Sequence, residues 1–268
     1  MRPMHAGPFG IRWRAPAALL LSAGCLIASA GGATDAVDRA PRVVAARQQR
    51  GAQVKRLFAE KGVPYPPSAV FVRIFKREDL LELWAGQRSE ALTLIKSYKV
   101  CARSGALGPK RRVGDLQVPE GFYRITQFNP ASSFHLSLRI DYPNASDRVL
   151  SDRQHPGGDI FIHGSCVTIG CVPIQDGPIE ELFLALLDSR LAGNRLIPVH
   201  IFPTRMDEEG MALLQREAGA GRHMEFWRNL RPGFLAFERT HKVPLVSVDP
   251  KTGLYTMGDR HGEGVRNQ

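Results

Sequence analysis

Cysteine is scarce in this 268-residue chain, which has four: Cys25, Cys101, Cys166 and Cys171. That is too few for a disulfide scaffold, so the fold must rest on a hydrophobic core. Acid is scarce too, with 26 Asp and Glu against 36 Lys and Arg, and none occurs before Asp35. No apolar run reaches the roughly 20 residues that a membrane span needs. The longest, "APAALLLSAGCLIASA" (15–30), stops short of it. No internal repeat divides the chain.

The N-terminus sets the compartment. Arg2, Arg12 and Arg14 precede that apolar run, and the small residues Ala28-Ser29-Ala30 close it. This is the pattern of a secretory signal over 1–30, cleaved after Ala30. "LSAGC" also resembles a lipobox ending at Cys25, so lipidation there is the alternative. The expected location is the periplasm, with membrane attachment only through a lipid on Cys25 or an uncleaved signal. Disulfides form in such a compartment. Three cysteines would remain after cleavage, and an odd count leaves one thiol for chemistry. The formal charge is +10; the first 30 residues hold three arginines and no acid, so the rest keeps +7. A basic balance attracts polyanions. Export takes nucleic acid out of reach and leaves acidic envelope polymers.

Periodicity orders the rest. Residues 31–66 read as a flexible leader, without period up to about Arg50, with a short helix over 47–62 that sets Val54, Leu57 and Phe58 on one side. "VPYPPS" breaks it. Residues 67–205 form the body. "AVFVRIFK", "LLELWAG", "ALTLIKSYKVC", "FYRITQF", "FHLSLRID" and "DIFIH" read as strands. The basic, glycine-rich segment 102–121 reads as a long connection whose charge run, Lys110-Arg111-Arg112, either meets substrate carboxylates or, as is usual for a loop, is solvated. After Cys171, Ile179, Leu182, Phe183, Leu186 and Leu187 recur at helical spacing. Asp176 would cap that helix, Pro178 suits its first turn, and Gly193-Asn194 would end it. "LIPVHIFP" returns to strand. Residues 206–268 read as a helical extension broken at "RPG" (231–233), with Met224, Trp227, Leu230 and Phe234 as packing residues and a closing hairpin. The fold class is mixed and β-rich, α+β.

The chemistry gathers in "DIFIHGSCVTIGC" (159–171). Three readings are open. A zinc clip would use Cys166, Cys171 and His163 or His155, with Cys101 as the fourth ligand. A Cys166–Cys171 disulfide would staple a small loop and remove little denatured-state entropy. In the third reading Cys171 is a nucleophile and His163 its base: an exposed thiol, with a lowered pKa while the imidazole stands beside it. Gly164 and Gly170 would let the backbone turn, and Thr168 would hold the loop. Amides around Gly170 and Cys171 would be open to an oxyanion.

His163-Gly164 followed by Thr168-x-Gly170-Cys171 resembles the signature of the YkuD-type L,D-transpeptidase catalytic domain. Ile169 stands where most members carry a second histidine, and Pro173 where many carry arginine. Those departures, with "LGPKRRVGDLQVPEGFY", "NPASSFHLSL" and "YPN", are similar to the YafK-like branch over about residues 68–256. The resemblance implies a YkuD β-sandwich with a helix after the nucleophile. It implies peptidoglycan as partner, attack by Cys171 at meso-diaminopimelate of a stem peptide, and a thioester. It implies no metal and no other cofactor. A wall-attached lipoprotein is a further candidate partner, and a non-catalytic wall-binding module is the rival outside the class. His135 and Ser165 are candidate substrate contacts. The branch pattern also pairs Cys101 with Cys166, which would leave Cys171 reduced.

Overall fold

The computed structural model describes residues 30–217 and 220–258. The expected signal and Cys25 lie outside the described residues. No described helix is long and apolar enough to cross a membrane.

The chain opens with two helices, α1 (Ala30–Asp38) and α2 (Pro41–Glu60). The meander β1 (Ala69–Phe75), β2 (Leu80–Gly86) and β3 (Thr93–Lys99) follows. After the 102–120 segment come the long β4 (Gly121–Ser132), β5 (His135–Ile140) and a short α3 (Ala145–Leu150). Then come β6 (Phe161–His163), β7 (Val172–Pro173), α4 (Asp176–Leu191) and β8 (Pro198–Phe202). The C-terminal part holds α5 (Glu208–Arg216), α6 (Ala220–Thr240) and the hairpin β9 (Leu245–Val248) and β10 (Tyr255–Gly258).

One sheet runs β3-β2-β1-β8-β4-β5-β6-β7, antiparallel except for β1–β8 and β6–β7. It is the expected mixed fold. The two halves share β4, whose first residues pair with β8 and whose later residues pair with β5. Both halves feed one core with α4.

Strand alternation explains why the sheet is covered on both sides. On β1, Val70, Val72 and Ile74 join the core with α2 and α4, while Phe71 and Phe75 join clusters with α6. Full burial of each such side chain stabilises by about 1.5–3 kcal/mol. Helix α4 is buried nearly all round. Its Glu180, Glu181 and Asp188 are buried as well, and each meets a cation: Arg50, Lys96 and Arg47.

That pairing corrects the flexible leader. From Pro41 the chain is helix α2, with Val43, Ala46, Val54 and Phe58 buried. Arg47 grips Asp188 with both terminal nitrogens, at 2.7 and 3.0 Å, and Arg50 reaches Glu180 at 3.1 Å. The basic residues look aperiodic because they answer buried acids on another helix. The break at 231–233 is corrected too: α6 runs through Pro232. Leu230 and Phe234 are buried on either side of it, and Gly233 lies against the Phe122 ring, so packing overrides the proline. Trp227, Met224, Leu230 and Phe234 pack together as expected.

Candidate active site

Strands β6 and β7 build the site. They are parallel, with Ile162 opposite Val172 and His163 opposite Pro173. Ile162 and Val172 point into the core. Phe161 and His163 therefore share the other face with Pro173, and Cys171 lies one residue before β7. Strand register thus sets His163 beside Pro173, two residues after Cys171.

His163 is buried, at 1% exposure. Its Nδ1 lies 2.5 Å from the Gly164 carbonyl oxygen. A carbonyl only accepts, so Nδ1 carries the proton and Nε2 is the free base. Phe134 packs over the ring with centroids 4.7 Å apart. Burial pulls the imidazole below its usual range, against the Gly164 bond.

Cys171 is half-buried and is the free cysteine among the described residues. Its thiol donates to the Asp159 carbonyl at 3.7 Å, and the Phe161 N–H donates to the sulfur at 3.4 Å. Burial pushes this thiol up; the Phe161 N–H and the charge of Lys110 oppose it, and Asp159 adds to it. The expectation of an exposed, low-pKa thiol is thus corrected. The resting pair is a neutral thiol and a neutral imidazole, because desolvation disfavours the charged form of each.

The loop between them is held at named points. Thr168 Oγ1 donates to the Cys171 carbonyl at 2.8 Å and accepts from Gly170 N–H at 3.1 Å. Gly170 has φ +135°, and a Cβ there would meet the Gln117 carbonyl at 3.1 Å. Gly164 is required by space instead: a Cβ would lie 2.5 Å from Asp176 Oδ1 and 2.8 Å from the Phe134 carbonyl. Ser165 sits at φ +57° and donates its N–H to Asp176 Oδ1 at 2.7 Å. Asp176 thus holds the catalytic loop, while Gln175 is the cap position of α4 and makes no side-chain cap bond.

Cys101 and Cys166 form a disulfide, with Cα atoms 5.7 Å apart. This takes two ligands from the zinc reading and removes the Cys166–Cys171 staple. The Cys101 N–H donates to the Pro173 carbonyl at 3.0 Å, so the bond ties the end of β3 to the catalytic loop.

The other candidates fall differently. His135 is turned to α4, with Nε2 2.9 Å from Glu180 Oε1. Ser165 contributes through its backbone, to Asp176 and Gln175. Two residues of the 110–112 run are paired rather than solvated, Lys110 with Asp115 at 2.6 Å and Arg111 with Asp147 at 3.2 Å, while Arg112 is exposed. Ile169 is 79% exposed, and Pro173 is buried beside His163. Sequence reasoning missed Phe134, Asp159 and Lys110 as neighbours of the pair. Phe134 lay in the quoted "SSFHLSL", and only the fold brings it over His163.

A cavity of about 150 Å³ opens beside Cys171, walled by residues 102–107, the end of β1 and Val118. The L,D-transpeptidase catalytic domain (YkuD) model matches residues 69–201. YafK of Escherichia coli (strain K12), which bears the name L,D-transpeptidase provisionally, is 38% identical over 183 residues, 68% of this chain and 71% of its own. YafK of Escherichia coli O157:H7 matches equally. The chain belongs to the L,D-transpeptidase catalytic-domain family. His163, Gly164, Thr168, Gly170 and Cys171 all lie within the span that matches this family. Among solved structures, the helical cell shape determining protein Pgp2 of Campylobacter jejuni gives 15% identity and a TM-score of 0.41, over 74% of this chain and 80% of that one. A point variant of Pgp2 gives 19% and 0.41, over 69% of this chain, which spans 63% of the variant's length. These two likenesses carry no argument about function.

Proposed function

We propose that the chain is an exported cysteine acyltransferase or hydrolase that acts on peptidoglycan stem peptides at meso-diaminopimelate. The observation that supports this reading is the pairing of His163 with Pro173, two residues after the free Cys171, with His163 Nε2 left as the free base. As substrate approaches, Nε2 takes the thiol proton and the sulfur attacks the carbonyl. The negative oxygen needs donors. Gly170 N–H is held by Thr168, so Cys171 N–H is the donor of that pair. His163 then gives its proton to the leaving amine, and a thioester remains.

An amine acceptor gives transfer and water gives hydrolysis. Hydrolysis proceeds at least as readily in this reading. Ile169 and Pro173 offer no charge to hold an acceptor, and a bound acceptor outcompetes water only through proximity and orientation. The hydrolysed link is either within the stem or to a wall-attached lipoprotein. Purified protein incubated with defined tetrapeptide muropeptides and with peptide-linked wall fragments tests this. Hydrolysed products are expected. Cross-linked dimers with no hydrolysed product from either substrate would overturn the hydrolase preference, and no product at all would leave the wall-binding module as the better reading.

A further inference from the structure

We infer that the cavity beside Cys171 is the leaving-group subsite, and that Arg103 and Ser104 hold a free carboxylate on the leaving amine. This rests on the acyl-transfer reading above. In acylation the bond from the Cys171 sulfur to the carbonyl carbon forms and the carbon–nitrogen bond breaks. The thiol proton passes through His163 to the departing nitrogen.

Two cations line the cavity, Lys76 and Arg103. Lys76 is saturated: its Nζ donates to the carbonyls of Gly108 and Val118 and to Glu120, at 2.8, 2.9 and 2.9 Å. Arg103 is not. Its Nε meets Asp79 at 3.0 Å and its side chain is 59% exposed, with no hydrogen bond from a terminal nitrogen to a protein acceptor seen among the described residues. That leaves the edge of the guanidinium whose terminal N–H groups match a carboxylate. The neighbouring Ser104 Oγ is buried with no hydrogen-bond partner. Orphaned buried hydroxyls are rare, and this one lines the cavity beside the nucleophile.

The rest of the wall is mostly apolar, which suits a methyl group or a methylene stem. It holds no acidic side chain to meet the free ammonium of an acyl-side diaminopimelate. The wall is also pre-formed. The disulfide at Cys101 pins one end of the segment, and Glu120 pins the other by accepting the Gly108 N–H at 2.7 Å. The Ala106 N–H donates to Gln117, whose carbonyl packs on Gly170. A site held in this way loses little freedom when it binds.

The shared chemistry is a leaving amine that bears a free carboxylate. Its sources are a terminal D-amino acid of the stem or a lysine joined through its side-chain amine. The full chain is assayed for amine release from a stem tetrapeptide ending in D-alanine, and from a stem tripeptide joined at diaminopimelate to the side chain of lysine. The carboxamide of each is run beside it. At least one acid is expected to exceed its carboxamide in kcat/KM by about 10- to 100-fold. Arg103→Gln should abolish that preference and Arg103→Lys should keep part of it. Ser104→Ala should weaken it. Removing charge from enzyme and substrate together should cost little more than removing either. The acid that shows the preference names the source. Equal rates for acid and carboxamide, or a preference that survives Arg103→Gln, would overturn the subsite while leaving the acyl-transfer reading in place. Absence of release from every donor would overturn both.

Discussion

Trp227 donates its indole N–H to Glu120 Oε2 at 2.7 Å, across 107 residues of sequence. Glu120 is fully buried and also holds Lys76 and the Gly108 N–H through its other oxygen. The C-terminal helix α6 is thereby joined to the wall of the cavity beside Cys171. The extension is part of the core rather than an appendage.

Breaking this hub should cost stability. Glu120→Ala strands a buried ammonium and should destabilise by about 3–5 kcal/mol. Trp227→Phe loses one charge-assisted hydrogen bond and should cost about 1–3 kcal/mol. Urea unfolding measures both. Equal midpoints for wild type and Glu120→Ala would show that the hub is not needed.

Much of this was legible in the sequence, and the reasons differ by element. The strands announced themselves by alternation, and α4 by its helical spacing. His163 and Cys171 stood out because histidine, glycine and cysteine crowd thirteen residues. The ordered leader was not legible, because the partners of Arg47 and Arg50 lie 130 or more residues away on α4. Helix α6 was misread at Pro232 because local propensity cannot see Phe122. The state of the thiol was not legible, because burial raises its pKa and burial is set by the fold.

The disulfide closes a loop of sequence separation 65. In the chain-entropy model that stabilises by about 4 kcal/mol. The double variant Cys101→Ser, Cys166→Ser should melt well below wild type, and non-reduced peptide mapping of the native protein should link the two peptides. An unchanged melting temperature in the double variant would refute the stabilising role.

The pH profile follows from two neutral groups. His163 lies below the usual imidazole value of about 6.5, so the free base persists to lower pH and kcat/KM should fall only below that point. Cys171 lies above the usual thiol value of about 8.5, so iodoacetamide labelling should rise with a midpoint above it. His163→Ala should leave that midpoint in place, since burial sets it. A labelling midpoint below pH 7 in the wild type would show a preformed thiolate and contradict the resting state described above.

Gly164→Ala should damage activity more than stability. The added methyl meets a backbone oxygen that cannot retreat and the carboxylate that holds Ser165. A shift of the loop by about 1 Å would lower kcat/KM by roughly 100-fold. Steady-state rates beside a thermal melt separate the two effects, and wild-type kcat/KM in this variant would show that the loop tolerates the change.

The central claim is that Cys171 forms a thioester with the stem peptide. Intact-mass spectrometry of protein mixed with a stem tetrapeptide and quenched in acid reads it directly. The wild type should gain the mass of the acyl tripeptide, mapped to the peptide carrying Cys171 and removed by hydroxylamine, while Cys171→Ala gains nothing and turns over nothing. Product formation by Cys171→Ala, or turnover by the wild type with the acyl group mapped to another residue, would contradict the account.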